Sequence, residues 1–144
     1  MIDSGNYVIK HGELTARQFI ELWESVLGGA PSIEQVELAL ENTLFTVSIH
    51  DGGRCVAMAR MIGDKGLCYY IKDVVVHPEY QRRGLGRALI DELLKFADEN
   101  GVGGTKVAVE LAAMPDKIPF YEKLGFGENE AHRLRMMREI KSNR

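Results

Sequence analysis

The chain has 144 residues and a mass of 16.1 kDa, the length of one ordinary domain with enough residues to bury a full core. Hydrophobic residues make up 45% and charged residues 27%, which excludes disorder, and 18 basic against 21 acidic side chains leave a net charge of −3, which argues against a general nucleic-acid binder. Two cysteines exclude a disulfide scaffold, no apolar run is long enough for a membrane helix, and the start Met1-Ile2-Asp3-Ser4-Gly5 lacks the basic and apolar regions of a secretory leader, so a cytoplasmic location is expected.

Asn6–Lys10 leans to β structure. Thr15 is a fitting N-cap for a helix to Val26, with Phe19, Leu22, Trp23 and Val26 recurring at helical spacing and packing on a sheet. Gly28-Gly29-Ala30-Pro31 breaks it. Ser32 caps a second helix, Gln35 standing three residues on as in a capping box, with Ile33, Val36, Ala39 and Leu40 as its apolar residues. The period then changes. Phe45, Val47 and Ile49 alternate with Thr46, Ser48 and His50, predicting a strand over Leu44–His50 with one drier face. Asp51-Gly52-Gly53 turns a hairpin, Arg54–Ile62 returns, Gly63–Gly66 turns again, and Leu67–Val76 completes a meander ending in Val74-Val75-Val76. Leu85, Leu89, Leu93 and Phe96 share one face of a long helix from Leu85 to Asn100, ended by Gly101, Gly103 and Gly104. Lys106–Leu111 reads as a strand, Ile118–Leu124 as a short helix with Pro119 in its first turn, and Arg135–Ile140 as a last strand. The order β-α-α-β-β-β-α-β-α-β predicts a single α/β (α+β) domain over residues 1–144, with an antiparallel meander in a mixed sheet.

The chemistry concentrates where the third meander strand enters the long helix. The first turn of a helix presents free N–H groups and the positive end of the dipole, which together bind phosphate. Gly84 and Gly86 let an anion approach that backbone, and Arg82, Arg83 and Arg87 add positive charge. This is not a P-loop, since no Gly-Lys-Ser/Thr follows, and not a dinucleotide fingerprint, since the third glycine position holds Leu89. Asp73 is a carboxylate among apolar strand residues, and alternation places it on the face of Ile71 and Val75; Glu110 is the other acidic candidate. His11, His50, His77 and His132 lack metal-ligand spacing, so no metal is expected. Cys55 and Cys68, on neighbouring strands, are expected as reduced core thiols, and Arg133, Arg135, Arg138, Lys141 and Arg144 as a solvated basic tail.

The run from Val74 to Leu89 resembles motif A of the GCN5-related N-acetyltransferases, whose core Q/R-x-x-G-x-G/A is met by Gln81, Gly84 and Gly86. Pro119–Phe126 resembles motif B, F-Y-x-x-x-G-F, met by Phe120, Tyr121, Gly125 and Phe126. The resemblance covers essentially the whole chain and implies the acyl-CoA N-acyltransferase fold, with a splayed strand and flanking helices. It implies acetyl-coenzyme A as cosubstrate, a primary amine as acceptor, and no metal. It assigns Gln81, Arg82, Arg83, Gly84, Leu85, Gly86 and Arg87 to the pyrophosphate, and the backbone of Val74, Val75 and Val76 to the pantetheine arm as an added strand. Tyr121 becomes the general acid for the leaving thiolate, with Phe120 beside the coenzyme, and Asp73 the first candidate for the general base. Trp23, Leu27 and Glu110 are expected toward the acceptor. A small-molecule amine is the favoured acceptor; the alternatives are a protein or peptide amine, or a non-catalytic acetyl-coenzyme A-binding regulatory module. A monomer or homodimer is expected, with no nucleic-acid or membrane partner.

Overall fold

A computed structural model describes residues 5–127, 136–139 and 141. The chain forms two compact units, Met1–Ala112 and Ala113–Arg144. In the first, β1 (Tyr7–His11) leads to α1 (Ala16–Val26) and α2 (Ile33–Glu41). Thr15 accepts a hydrogen bond from Gln18 N at 3.2 Å, while the Gln18 side chain accepts from Thr15 N at 3.0 Å, a complete capping box. Ser32 caps α2 by accepting from Gln35 N. The meander follows as β2 (Phe45–Asp51), β3 (Arg54–Gly63) and β4 (Cys68–Val76), then α3 (Leu85–Glu99) and β5 (Ala108–Leu111). The sheet has the order β1-β2-β3-β4-β5, antiparallel except for the parallel pair β4–β5. None of the described helices is long and apolar enough to cross a membrane.

The two faces of the sheet are covered by different helices. Phe45 and Ile71 are both in register with Met61, and α3 covers this face: Phe96 stacks on Phe45 with ring centroids 4.3 Å apart and meets Tyr69 edge-on. Leu85, Leu89 and Leu93 are buried beneath it, as their spacing predicts. Met58 stands three residues from Met61 along β3 and therefore faces the other side. There it packs with Val75 against Leu14, Phe19 and Leu22 of the α1 region and Val36 of α2.

Burial departs from the expected pattern in three places. The polar side of β2 is not wet: Thr46, Ser48 and His50 are buried. The α1 side of the sheet covers it, and His50 Nε2 lies 2.9 Å from Ser48 Oγ, so the buried polar atoms satisfy each other. Val26 and Ile33, expected in the core, are exposed at helix ends beyond the sheet. Cys68 is exposed at the start of β4 and Cys55 is half-buried opposite His50, so the expectation of two core thiols is corrected: neither is fully buried.

Two bulges bend the meander. Met58 pairs with Val75 but Arg60 pairs with Lys72, so β4 carries one extra residue there. Asp73 absorbs it with φ of 55°, in the left-handed region. The extra residue reverses alternation: Ile71 faces α3 while Val75 faces α1. The expectation that Asp73 shares one face with both is thereby corrected.

In the second unit, a 3-10 turn (Pro115–Lys117) enters α4 (Ile118–Lys123), with Pro119 in the first turn. Gly125, with φ of 98°, follows as the helix ends, and its N–H donates to Glu122 O. Of the expected last strand, residues 136–139 have irregular backbone, while Arg135 and Ile140 lie outside the described residues, as do His132, Arg133 and Arg144.

Candidate active site

The parallel pairing of β4 with β5 begins at Cys68–Ala108 and ends at Ile71–Leu111. Beyond it, β4 continues through the bulge to Val76, held to β3 by Met58–Val75 and Ala57–Val76. Among the described residues no strand pairs with this half of β4 on the β5 side. Its backbone therefore presents an open edge that accepts an extended chain. Val75 is buried, so it offers backbone rather than side chain.

The ladder continues into the loop. His77 N donates to Val56 O at 2.8 Å, and His77 Nδ1 accepts from Glu79 N to cap a 3-10 turn over Pro78–Tyr80. The Gln81 amide then donates back to Val76 O at 3.0 Å, folding the loop against the strand end. Arg82 and Gly84 both take positive φ, 65° and 83°. Gly84 stands at the N-cap of α3, where a Cβ would strain the turn and where it offers no side-chain cap. The first helical bond runs from Ala88 N to Gly84 O. The N–H groups of Leu85, Gly86 and Arg87 thus have no acceptor within the helix, and they stand at the positive end of a 15-residue dipole. Such a cradle fits a pyrophosphate.

The three arginines do different things. Arg83 Nη1 is 3.3 Å from the hydroxyl oxygen of Tyr7, and its guanidinium lies 5.1 Å over the Tyr80 ring. Arg87 stands 3.8 Å from Asp91 one turn along the exposed face of α3. Arg82 supplies the left-handed turn itself.

Tyr80 is the hub that sequence reasoning passes over. Its hydroxyl donates to Asp51 Oδ2 at 2.7 Å, a bond that raises its pKa. The guanidinium groups of Arg54 and Arg83 lie 5.6 and 5.1 Å from the centroid of its ring, which meets Tyr7 edge-on. Arg54 also reaches His77 Nε2 at 3.1 Å. The β2–β3 hairpin and β1 are thereby tied to the loop that carries the cradle. The signal is an aromatic residue beside a His-Pro turn, but its partners Arg54, Asp51 and Tyr7 lie 26, 29 and 73 residues away in the chain.

Asp73 is not a free carboxylate. It accepts from Arg60 Nε at 2.5 Å, and both side chains are largely enclosed. Arg60 Nη1 donates to Thr43 Oγ1 at 3.1 Å, and that hydroxyl donates to Ala39 O near the end of α2. Arg60 and Thr43 were not singled out from sequence, because neither belongs to a local motif. Glu110 lies in register with Tyr70, on the same face as Lys72, whose ammonium sits 5.7 Å over the Tyr70 ring. Trp23 stacks on Phe19, and its indole N–H donates to Gly28 O at 3.0 Å, holding the start of the α1–α2 loop. Leu27 is exposed beside it.

Tyr121 and Phe120 belong to the second unit. There the Tyr121 ring meets Phe120 and Phe126 edge-on at 4.9 and 5.9 Å, and burial pushes its hydroxyl pKa up. Among the described residues no group of three or more His, Cys, Asp or Glu side chains could hold a metal.

Comparison with known proteins bears on this strand–loop–helix. The sequence model of the acetyltransferase (GNAT) family matches residues 12–126. The uncharacterized N-acetyltransferase ycf52 of Pyropia yezoensis is 29% identical over 124 residues, which cover 83% of this chain and 69% of that protein. Serotonin N-acetyltransferase 2, chloroplastic, of Oryza sativa subsp. japonica is 39% identical over 97 residues, which cover 65% of this chain and 46% of that protein. The chain thus spans only part of the length of these relatives. A solved structure of a probable acetyltransferase of unknown function from meticillin-resistant Staphylococcus aureus superposes with a TM-score of 0.80 at 26% identity, covering 93% of this chain and 99% of that one.

Proposed function

The chain belongs to the acetyltransferase (GNAT) family, and on that premise we propose that it transfers an acetyl group from acetyl-coenzyme A to the primary amine of a small molecule by direct attack. The family implies acetyl-coenzyme A as cosubstrate. The observation that carries the reading is the continuity of the open β4 edge with the uncapped N-terminus of α3. One stretch of backbone can pair with an amide-bearing arm and then receive a pyrophosphate. In this reading the N–H groups of Leu85, Gly86 and Arg87 hold the pyrophosphate, Gln81 and Arg82 shape the loop, and Val74–Val76 take the pantetheine amides.

The amine attacks the thioester carbonyl as its free base, and an N–H of the open strand meets the oxygen that gains charge. The carbon–sulfur bond breaks, the departing thiolate takes a proton from Tyr121, and the proton shed by the new amide nitrogen passes through solvent to restore the Tyr121 hydroxyl. Burial around the Tyr121 hydroxyl supports this role, because it keeps the proton in place at neutral pH. Trp23, Leu27 and Glu110 serve the acceptor. The small-molecule preference rests on the name of the rice relative, which specifies serotonin, and on the net charge of −3, which suits a cationic amine.

The test is thiol release from acetyl-coenzyme A with a panel of small amines, serotonin among them, and a lysine-containing peptide. Small amines are expected to turn over, and Tyr121→Phe is expected to lose about 100-fold in kcat with KM for acetyl-coenzyme A nearly unchanged. Peptide-only turnover would overturn the acceptor class, and an unchanged kcat in Tyr121→Phe would remove that residue from the proton transfer.

A further inference from the structure

We propose that Arg60, Asp73 and Thr43 form a clamp that fixes the bulge of β4 to the end of α2, so that Asp73 serves the reaction as a positioning residue and not as its base; the proposal rests on the acetyl-transfer reading above. Three observations converge on it. Asp73 holds a left-handed backbone conformation, φ 55°, at the single extra residue of β4. Side chains other than glycine keep such a conformation only when their surroundings over-determine it, and Asp and Asn tolerate it best. Its carboxylate is only 11% exposed and receives Arg60 Nε, while Arg60 is only 17% exposed. The same guanidinium reaches Thr43, whose hydroxyl proton is committed to Ala39 O.

The donors and acceptors therefore run in one direction. Thr43 gives its proton to α2 and takes one from Arg60; Arg60 gives another to Asp73. Asp73 Oδ2 is thereby engaged by Arg60. What the clamp does is geometric. Asp73 immediately precedes Val74, the first residue of the strand segment proposed for the pantetheine arm. Ala39 lies in the last turn of the helix that follows the Trp23–Leu27 segment proposed for the acceptor. One guanidinium thus ties the acceptor side of the first unit to the strand that presents the acetyl group.

The experiment compares Asp73→Asn, Asp73→Ala, Arg60→Lys and Arg60→Met in kcat, KM and the pH profile. Asparagine keeps both the tolerance for positive φ and an oxygen for Arg60 Nε. Asp73→Asn is expected within about 3-fold of the parent kcat, with the acid limb of the profile unmoved, whereas Asp73→Ala and Arg60→Met lose about 30-fold. Should Arg60→Met fail to fold, Arg60→Lys takes its place: lysine keeps the charge but cannot serve Asp73 and Thr43 together, and is expected to lose about 10-fold. The proposal is overturned if Asp73→Asn is as inactive as Asp73→Ala and the acid limb disappears, which is the behaviour of a base. It is equally overturned if Asp73→Ala keeps the parent rate. Should the parent acetylate no amine, the functional reading fails separately, and urea unfolding reads the clamp directly. The double variant Asp73→Ala/Arg60→Lys should then be no less stable than the weaker single variant, and simple additivity would refute the coupling.

Discussion

At the residue scale, the buried polar pair of β2 and β3 gives the first unit two opposite pH edges. His50 is in register with Cys55 and bonds Ser48. Burial, followed by the charge of Lys10, lowers the pKa of His50 from its ordinary 6.5. Burial raises Cys55 from 9.0 to about 11. In both cases the fold prefers the neutral side chain. For His50 the contribution is fully present above pH 6.5 and is lost as pH falls through the lowered native value. For Cys55 it is fully present below pH 9.0 and is lost as pH rises toward about 11. Urea midpoints measured across pH should show a plateau between these edges. His50→Gln should flatten the acid side and Cys55→Val the alkaline side. An acid shoulder that survives in His50→Gln would assign it to another group. The face that holds this pair reads from sequence as the wetter one, because alternation reports polarity and not what later packs above it. Ser48 and His50 are dry because α1, set in the chain well before them, lands on that side.

At the scale of elements, what could be read beforehand were features whose physics is local. Thr15 and Ser32 as caps and the spacing Leu85, Leu89, Leu93 each fix a helix within a few residues and appear as expected, although the complete capping box forms at Thr15 and Gln18, while at Ser32 only the bond from Gln35 N is present. Gly84 and Gly86 mark the cradle for the same reason. The bulge at Asp73 leaves no such mark, since one inserted residue changes no composition and shows itself only through pairing with β3. Tyr80 and Arg60 act through partners distant in sequence, so their roles follow from tertiary structure alone. The Tyr80 cluster carries a prediction of its own. Its ring and hydroxyl bind the cradle loop to Asp51, Arg54 and Tyr7 without standing in the cradle. Tyr80→Ala should loosen the loop, raising KM for acetyl-coenzyme A by about 10-fold while kcat at saturation falls much less. Tyr80→Phe, which loses only the bond to Asp51, should fall between parent and Ala. An equal loss of kcat and kcat/KM in Tyr80→Ala, with KM unchanged, would instead place the cluster in the chemical step.

At the scale of the whole molecule, the two motifs divide between the units: the cradle and open edge lie in the first, Tyr121 in the second. Binding of acetyl-coenzyme A is therefore separable from proton donation by substitution. A ligand that binds only the folded state at 100 times its dissociation constant adds about 2.7 kcal/mol, which at this chain length raises the unfolding midpoint by roughly 5–10 °C. Tyr121→Phe should keep that rise, because in the proposed reaction the hydroxyl serves the leaving thiolate and not the pyrophosphate. Gly84→Glu should abolish it, since the new side chain must sit at φ 83° and brings a negative charge to the mouth of the three free N–H groups. The strain is confined to one half-buried residue at the start of α3, so the ligand-free variant should still unfold cooperatively, a few degrees below the parent. Thermal unfolding of the three proteins, each with and without acetyl-coenzyme A, separates the possibilities. A rise in parent and Tyr121→Phe that disappears in Gly84→Glu assigns the pyrophosphate to this loop. A rise that persists in Gly84→Glu moves the binding site elsewhere on the molecule. No rise in the parent at saturation would mean that the family's cradle survives here without the family's ligand, and the proposed transfer would fall with it.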